Sequence, residues 1–230
     1  ELLQGVKLGL AAEPSISRLY VVGPPSVLEP LLKSAGCLDP RLEIEPASEV
    51  LTMEDKPVQG LRKKKDCSIL RAVELVRDGK ADAVISSGNT GGIVAAATIR
   101  LRTLEGIERP TIACIMPSKS GAWVLVDGGA NPECSPENLL QFAVMGSAYS
   151  RAMLGKQSPR VGVLSNGSEE SKGTDLTRAA LPLIRASGLN ATGYCEGYDL
   201  FMDGVLADTM RIQPLQRVVP KMKHNSLGTT

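Results

Sequence analysis

Three glycine-rich loops carry most of the side chains in this chain that could do chemistry. Residues 86–92 read Ser-Ser-Gly-Asn-Thr-Gly-Gly and run straight into a helical stretch. Glycines let the backbone approach a ligand, helix-terminal N–H groups point at an anion, and hydroxyls add donors. Ser87, Gly88, Asn89, Thr90 and Gly91 are therefore candidates for holding a phosphate-like group; the alternative is a tight, capped turn. Residues 126–131 read Val-Asp-Gly-Gly-Ala-Asn and put Asp127 and Asn131 in a polar corner. A glycine-rich turn with a left-handed Asn is the plainer reading. Residues 165–174 bring Asn166, Gly167, Glu169, Glu170, Lys172 and Gly173 ahead of a helix. Here the alternative is a solvated loop with capping hydroxyls. A cationic run, Arg62, Lys63, Lys64 and Lys65, is either a solvated face or a complement to an anionic ligand or acidic partner.

Other chemistries find little material. The only histidine is His224, so a Ser-His-Asp or Cys-His system would have to use that residue. The five cysteines form no C-x-x-C pair, which favours free thiols in a reducing cytosol over disulfides or a zinc site. No metal or cofactor is expected. No G-x-x-x-x-G-K-[ST] loop exists, and no G-x-G-x-x-G follows a strand, so standard nucleotide fingerprints are absent.

The elements that must position these loops alternate. Strands are expected at 18–23, 41–45, 82–86, 111–116, 122–126, 160–164, 191–195 and 204–207. Helices are expected at 24–35, 68–78, 91–104, 136–154 and 174–187, with Ser135 capping the longest and Pro136 at its first position. Residues 47–65 lack a clear period and read as a loop with a short helix. Such alternation predicts an α/β fold with a largely parallel sheet. Hydrophobic residues make up 43 % of the 230 and aromatics only 3 %, so the core is mostly aliphatic and suits buried parallel strands. In such sheets ligands bind beyond the carboxyl ends of the strands. The 26 basic and 25 acidic side chains nearly cancel, which argues against nucleic-acid binding. No apolar run approaches the roughly 18 residues of a spanning helix.

Several motifs in one order carry a resemblance. Residues 81–91, 106–110, 127–131, 140–147, 167–173 and 198–208, with 47–50 and 55–66 upstream, closely resemble the bacterial phosphate acyltransferase family of phospholipid synthesis. The match spans roughly residues 1–208, drawn as one α/β acyltransferase domain. It implies a Rossmann-like three-layer α/β/α fold similar to phosphotransacetylases, and a homodimer. It implies a reaction in which inorganic phosphate attacks the thioester of acyl carrier protein and yields acyl phosphate. Lys172, Asn131 and Asp127 are then the catalytic candidates. Ser87, Gly88, Asn89, Thr90, Gly91, Asn166, Gly167, Glu169, Glu170 and Gly173 would bind phosphate or substrate. Arg62, Lys63, Lys64 and Lys65 would dock the carrier protein. A short-chain phosphotransacetylase acting on acyl-CoA, and a catalytically impaired carrier-protein or membrane-binding scaffold, are the alternatives. The family's first strand with its Asp-Ala-Met-Gly-Gly-Asp-type loop, and a later Asp-Gly-Phe-Thr-Gly-Asn-type loop, have no counterpart here. The corner reads Asp-Gly-Gly-Ala-Asn where the family more often has Asp-Val-Gly-Ala-Asn.

Residues 209–230 do not match the family and hold Arg211, Arg217, Lys221 and Lys223 with no acid, a charge of +4. Ile212, Leu215 and Val219 fall at helical spacing. The segment reads as a basic amphipathic tail able to lie on an anionic membrane surface. The other reading is that Pro214 and Pro220 break the helix and the tail packs on the domain or a dimer mate. The expected location is cytoplasmic, with peripheral contact at the inner face of the membrane.

Overall fold

A computed structural model describes residues 2–119, 121–128, 131, 133–169, 171–202 and the backbone of 209–211. The chain divides into two compact units, 1–105 and 106–230.

The first unit runs α1 (Leu2–Ala12), β1 (Leu19–Gly23), α2 (Pro25–Ser34), β2 (Leu42–Pro46), α3 (Pro57–Lys63), α4 (Ser68–Arg77) and α5 (Thr90–Arg100). β1 and β2 pair in parallel from Leu19↔Leu42 to Gly23↔Pro46, joined by the α2 crossover. Leu51, Leu61, Cys67, Ile69, Leu70, Val73 and Ala96 form its core, so the apolar face of α4 lies against α5 and the loop before α3. The α1 helix was not expected, because Gly5 and Gly9 interrupt its apolar spacing. Its end is held from a distance: Arg41 donates from Nη2 to the Leu10 carbonyl at 2.6 Å and forms a bidentate pair with Asp39. One expectation fails. Residues 82–86 form no strand, and Ile85 is 94 % exposed. Strands exist by pairing their backbone groups, and this apolar run finds no ladder among the described residues.

The second unit runs β3 (Ala113–Ser118), β4 (Gly121–Val126), α6 (Pro136–Leu154), β5 (Arg160–Leu164), α7 (Asp175–Ala186), β6 (Asn190–Cys195) and β7 (Thr209–Arg211). The sheet order is β3-β4-β7-β5-β6. β3 and β4 form an antiparallel hairpin; β4–β7, β7–β5 and β5–β6 are parallel. Two results differ from expectation. Thr209–Arg211, read as the start of a tail, is a strand between β4 and β5. The edge of the sheet is an antiparallel hairpin, because 119–120 is too short for the crossover that a parallel neighbour needs. The strand expected at 204–207 and residues 212–230 lie outside the described residues.

Period-two alternation sorts the strands' side chains between the two faces. Val124 and Val126 turn to Phe142 of α6. Val161, Val163 and Tyr194 pack with Ala143, Leu181 and Ile184 of α6 and α7. Trp123, Leu125, Leu164 and Cys195 face the other way and are covered by Leu200 and Met116. The helix starts follow from local chemistry. Ser135 Oγ accepts from Asn138 N at 3.2 Å while Asn138 Oδ1 accepts from Ser135 N at 3.1 Å, a reciprocal cap. Gly155, at φ 67°, ends α6.

Candidate active site

The parallel strands of the second unit point their carboxyl ends to one edge, and two of the three singled-out loops leave from there. β4 ends at Val126 and turns into the Asp127 corner. β5 ends at Leu164 and opens the 165–173 loop, tied to the end of β6 by Ser165 N donating to Cys195 O at 2.9 Å. Only β7 separates the two strands, so their ends are about 10 Å apart at normal strand spacing.

Asp127 is 1 % exposed and sits at φ 57°, a left-handed backbone that Asp tolerates better than most residues. Its Oδ1 accepts from the Asn131 backbone N–H at 3.1 Å and from Asn131 Nδ2 at 2.9 Å. Asn131 Nδ2 also donates to Pro110 O at 2.9 Å. Two of the three catalytic candidates are therefore brought together, with Asp127 holding Asn131. Among the described residues Gly128 is not demanded by space: a Cβ there would find Leu125 Cδ2 at an ordinary 3.6 Å.

In the 165–173 loop two glycines are demanded. A Cβ on Gly167 would lie 2.7 Å from both Lys172 Cγ and Glu169 Oε2, so the stem of Lys172 and the carboxylate of Glu169 close over that glycine. Gly173, at φ 86°, would press a Cβ on Thr177 Oγ1 and to 3.0 Å from Tyr194 OH. Lys172 N donates to Glu169 O at 2.9 Å, which turns the exposed Lys172 at the mouth of α7. Asn166 and Glu169 are also exposed. Glu170 lies outside the described residues. Cys195, at the end of β6, is fully buried, and burial pushes its thiol up to about 11. It is no nucleophile at neutral pH.

The remaining loop belongs to the first unit, where Asn89 proves to be a fastener. At φ 48° and 6 % exposed, its Oδ1 caps α5 by accepting from Gly92 N at 2.8 Å. Its Nδ2 donates to Thr52 O at 2.7 Å and Asp55 O at 3.3 Å, and its backbone N–H to Met53 Sδ at 3.1 Å. Gly91 and Gly92 serve the same join: a Cβ on Gly91 would lie 2.7 Å from Pro57 Cγ, and one on Gly92 would strike Leu51. Bulk at Gly91 thus displaces α3 whether or not a ligand binds there. Ser87, Gly88 and Thr90 are exposed.

The cationic run is not uniform either. Lys64 is half-buried, pairs with Asp55 Oδ2 at 2.5 Å and donates to Val50 O at 2.9 Å. The Lys64 ammonium, with the Thr52 N–H, holds the Asp55 carboxyl down at about 2. Arg62, Lys63 and Lys65 stay exposed. None of these joins was found from sequence. Thr52, Met53 and Asp55 lie some 35 positions from Asn89, and in the second unit the Ser135 cap was the tie that the sequence advertised by name.

A family profile described as a fatty acid synthesis protein matches residues 1–210. The chain belongs to the fatty acid synthesis protein family. Among its curated family relatives, a protein named phosphate acyltransferase from Heliobacterium modesticaldum is 46 % identical over 193 residues, 83 % of this chain and 57 % of that one. Another of that name, from Akkermansia muciniphila, is 42 % identical over 205 residues, 86 % of this chain and 59 % of that one. This family member thus spans less than three-fifths of the length of these relatives. Among solved structures, a branched-chain phosphotransacylase from Enterococcus faecalis matches with a TM-score of 0.51 over 85 % of this chain and 79 % of that one, at 13 % identity. That likeness shows the α/β fold alone.

Proposed function

We propose that the protein transfers a fatty acyl group from the thioester of acyl carrier protein to inorganic phosphate, giving acyl phosphate for phospholipid synthesis. The observation that carries this reading is the 42–46 % identity to relatives named phosphate acyltransferase. The geometry of the second unit supports it. A phosphate oxygen attacks the thioester carbonyl carbon, a C–O bond forms, and the carbonyl becomes a tetrahedral oxyanion. The C–S bond then breaks and the thiolate leaves, taking up a proton. Phosphate is itself the nucleophile, so no activated Ser, Cys or His is required, and the buried Cys195 thiol is consistent with that. What the reaction needs is a cation or donors where negative charge gathers. Lys172, at the mouth of α7 and the carboxyl edge of the sheet, supplies the cation. In the first unit, taken by itself, Ser87, Gly88, Thr90 and Gly91 are the candidates for a phosphate-like group, with Asn89 and Gly91 setting the loop.

The same reading carries the Rossmann-like three-layer arrangement, the largely parallel sheet, the homodimer, and a cytoplasmic protein in peripheral contact with the membrane. Among the described residues no helix is long and apolar enough to cross a membrane.

The test is thiol release from long-chain acyl carrier protein with and without phosphate, with hydroxylamine trapping the acyl phosphate as a hydroxamate. Phosphate-dependent release with hydroxamate formation is expected. Release from acetyl-CoA alone would move the assignment to a short-chain phosphotransacetylase. No phosphate-dependent release from either thioester would remove it.

A further inference from the structure

The chemistry above makes no use of residues 106–112, which cross the start of α6 on their way into β3. Gln141 brackets this strap: its Oε1 accepts from Glu108 N at 2.9 Å and its Nε2 donates to Gly106 O at 3.0 Å. Asn138, 3 % exposed, adds a bond from Nδ2 to Glu108 Oε2 at 2.7 Å. Arg109 Nη1 donates to Glu133 O at 3.1 Å. Further along, the strap turns to the corner. Pro110 O accepts from Asn131 Nδ2 at 2.9 Å, and Ile112 O accepts from Asp127 N at 2.8 Å. One end is clamped by α6, and the other end aims the corner.

The arithmetic of a carboxamide gives this a chemical meaning. It has two N–H donors and one carbonyl acceptor. Asn131 commits its Nδ2 to two partners, Pro110 O and Asp127 Oδ1, and the Pro110 carbonyl can only accept. That fixes which end of the amide is nitrogen. It also leaves the carbonyl Oδ1 as the group with which Asn131 can meet a ligand.

We propose that Gln141 is a positioning residue, which through Glu108 and Pro110 O holds the Asn131 carboxamide so that the corner offers substrate an acceptor. The ligand group it suits is a hydrogen-bond donor: an amide N–H on the arm that carries the thioester, or the O–H of hydrogen phosphate. The kinetic part of this inference rests on the acyl-transfer reading; the positioning does not.

The experiment compares Gln141→Leu, Asn131→Ala and the double variant. If Gln141 works through Asn131, Gln141→Leu lowers kcat/KM about tenfold, and the double variant is no worse than Asn131→Ala, since coupled residues are not additive. A rise in KM for the thioester alone names the amide donor, and a rise for phosphate alone names hydrogen phosphate. Full additivity would overturn the proposal. Gln141→Glu, which keeps the acceptor for Glu108 N and loses the donor to Gly106 O, should fall between wild type and Gln141→Leu, and guards against a variant that does not fold. Hydrogen exchange gives a readout independent of activity. The Asn131 backbone N–H, bonded to Asp127 Oδ1, should exchange at least tenfold faster in Gln141→Leu while the β5 amides keep their protection. Unchanged exchange at Asn131 overturns the positioning role. Faster exchange in a protein whose wild type transfers no acyl group would count against the acyl-transfer reading and leave the strap standing.

Discussion

The stem of Lys172 passes over a position that only glycine leaves open. Gly167 lets its stem pass, and the turn from Glu169 sets where its stem begins. A cation fixed by its stem costs little reorganisation when charge develops near it, which is where electrostatic stabilisation gains its size. Replacing Lys172 by Ala should lower turnover about 10²-fold, with the fold intact by circular dichroism. Turnover like wild type in the folded variant would end the assignment. Gly128 gives the opposite kind of prediction. It has no left-handed φ and, among the described residues, no crowded Cβ position, so its freedom is a cost to the folded state. Gly128→Ala should raise stability by about 0.4–1 kcal/mol through the unfolded chain. A lowered denaturant midpoint would show that the corner needs glycine for a reason other than space.

At the scale of elements, the first unit joins its loops with carboxylates. Asp55 is held down at about 2 by Lys64 and the Thr52 N–H, and Asp66 at about 2 by the Ser48 hydroxyl and N–H, with Arg71 beyond. A folded carboxyl held below its ordinary 3.8 contributes stability that is complete above about pH 4 and is lost as pH falls toward 2. Asp55→Asn should therefore melt below wild type at neutral pH, with the gap narrowing between pH 4 and pH 2. A gap that stays constant with pH would mean that Asp55 acts by packing alone. These joins also show what a sequence can and cannot reveal. α6 was legible because Ser135 and Pro136 at its start are local signals, and β4 and β5 because their apolar runs are. Residues 82–86 have the same apolar character and form no strand, since a strand also needs a neighbour that local sequence does not name. β7 is the converse: Thr209–Arg211 has little strand signal and owes its state to lying between β4 and β5. The loops that could do chemistry were legible by their glycines and hydroxyls. Their internal division of labour was not, because Asn89 and Asp127 do their fastening through partners chosen by tertiary contact.

For the whole molecule the near balance of 26 basic and 25 acidic side chains hides a local imbalance that bears on the proposed carrier-protein partner. Lys64 is neutralised by Asp55, so it adds nothing to a docking field, and reversing its charge would break α3 from the loop before it. Arg62, Lys63 and Lys65 remain as an exposed cationic group. An acidic carrier protein meeting that group is steered mainly in its approach, so the effect belongs to the association rate. Exposed charges are screened beyond about 8–10 Å at physiological ionic strength, so the same effect must fade with salt. Lys63→Glu combined with Lys65→Glu should slow association with acyl carrier protein at low ionic strength. The two rates should converge as salt rises, and turnover at saturating carrier protein should hold. Stopped-flow association against salt, with Lys64 untouched, measures this directly. Rates that match wild type at low salt would make the run a solvated face. A turnover loss that persists at saturating carrier protein would instead move Lys63 and Lys65 toward the phosphate.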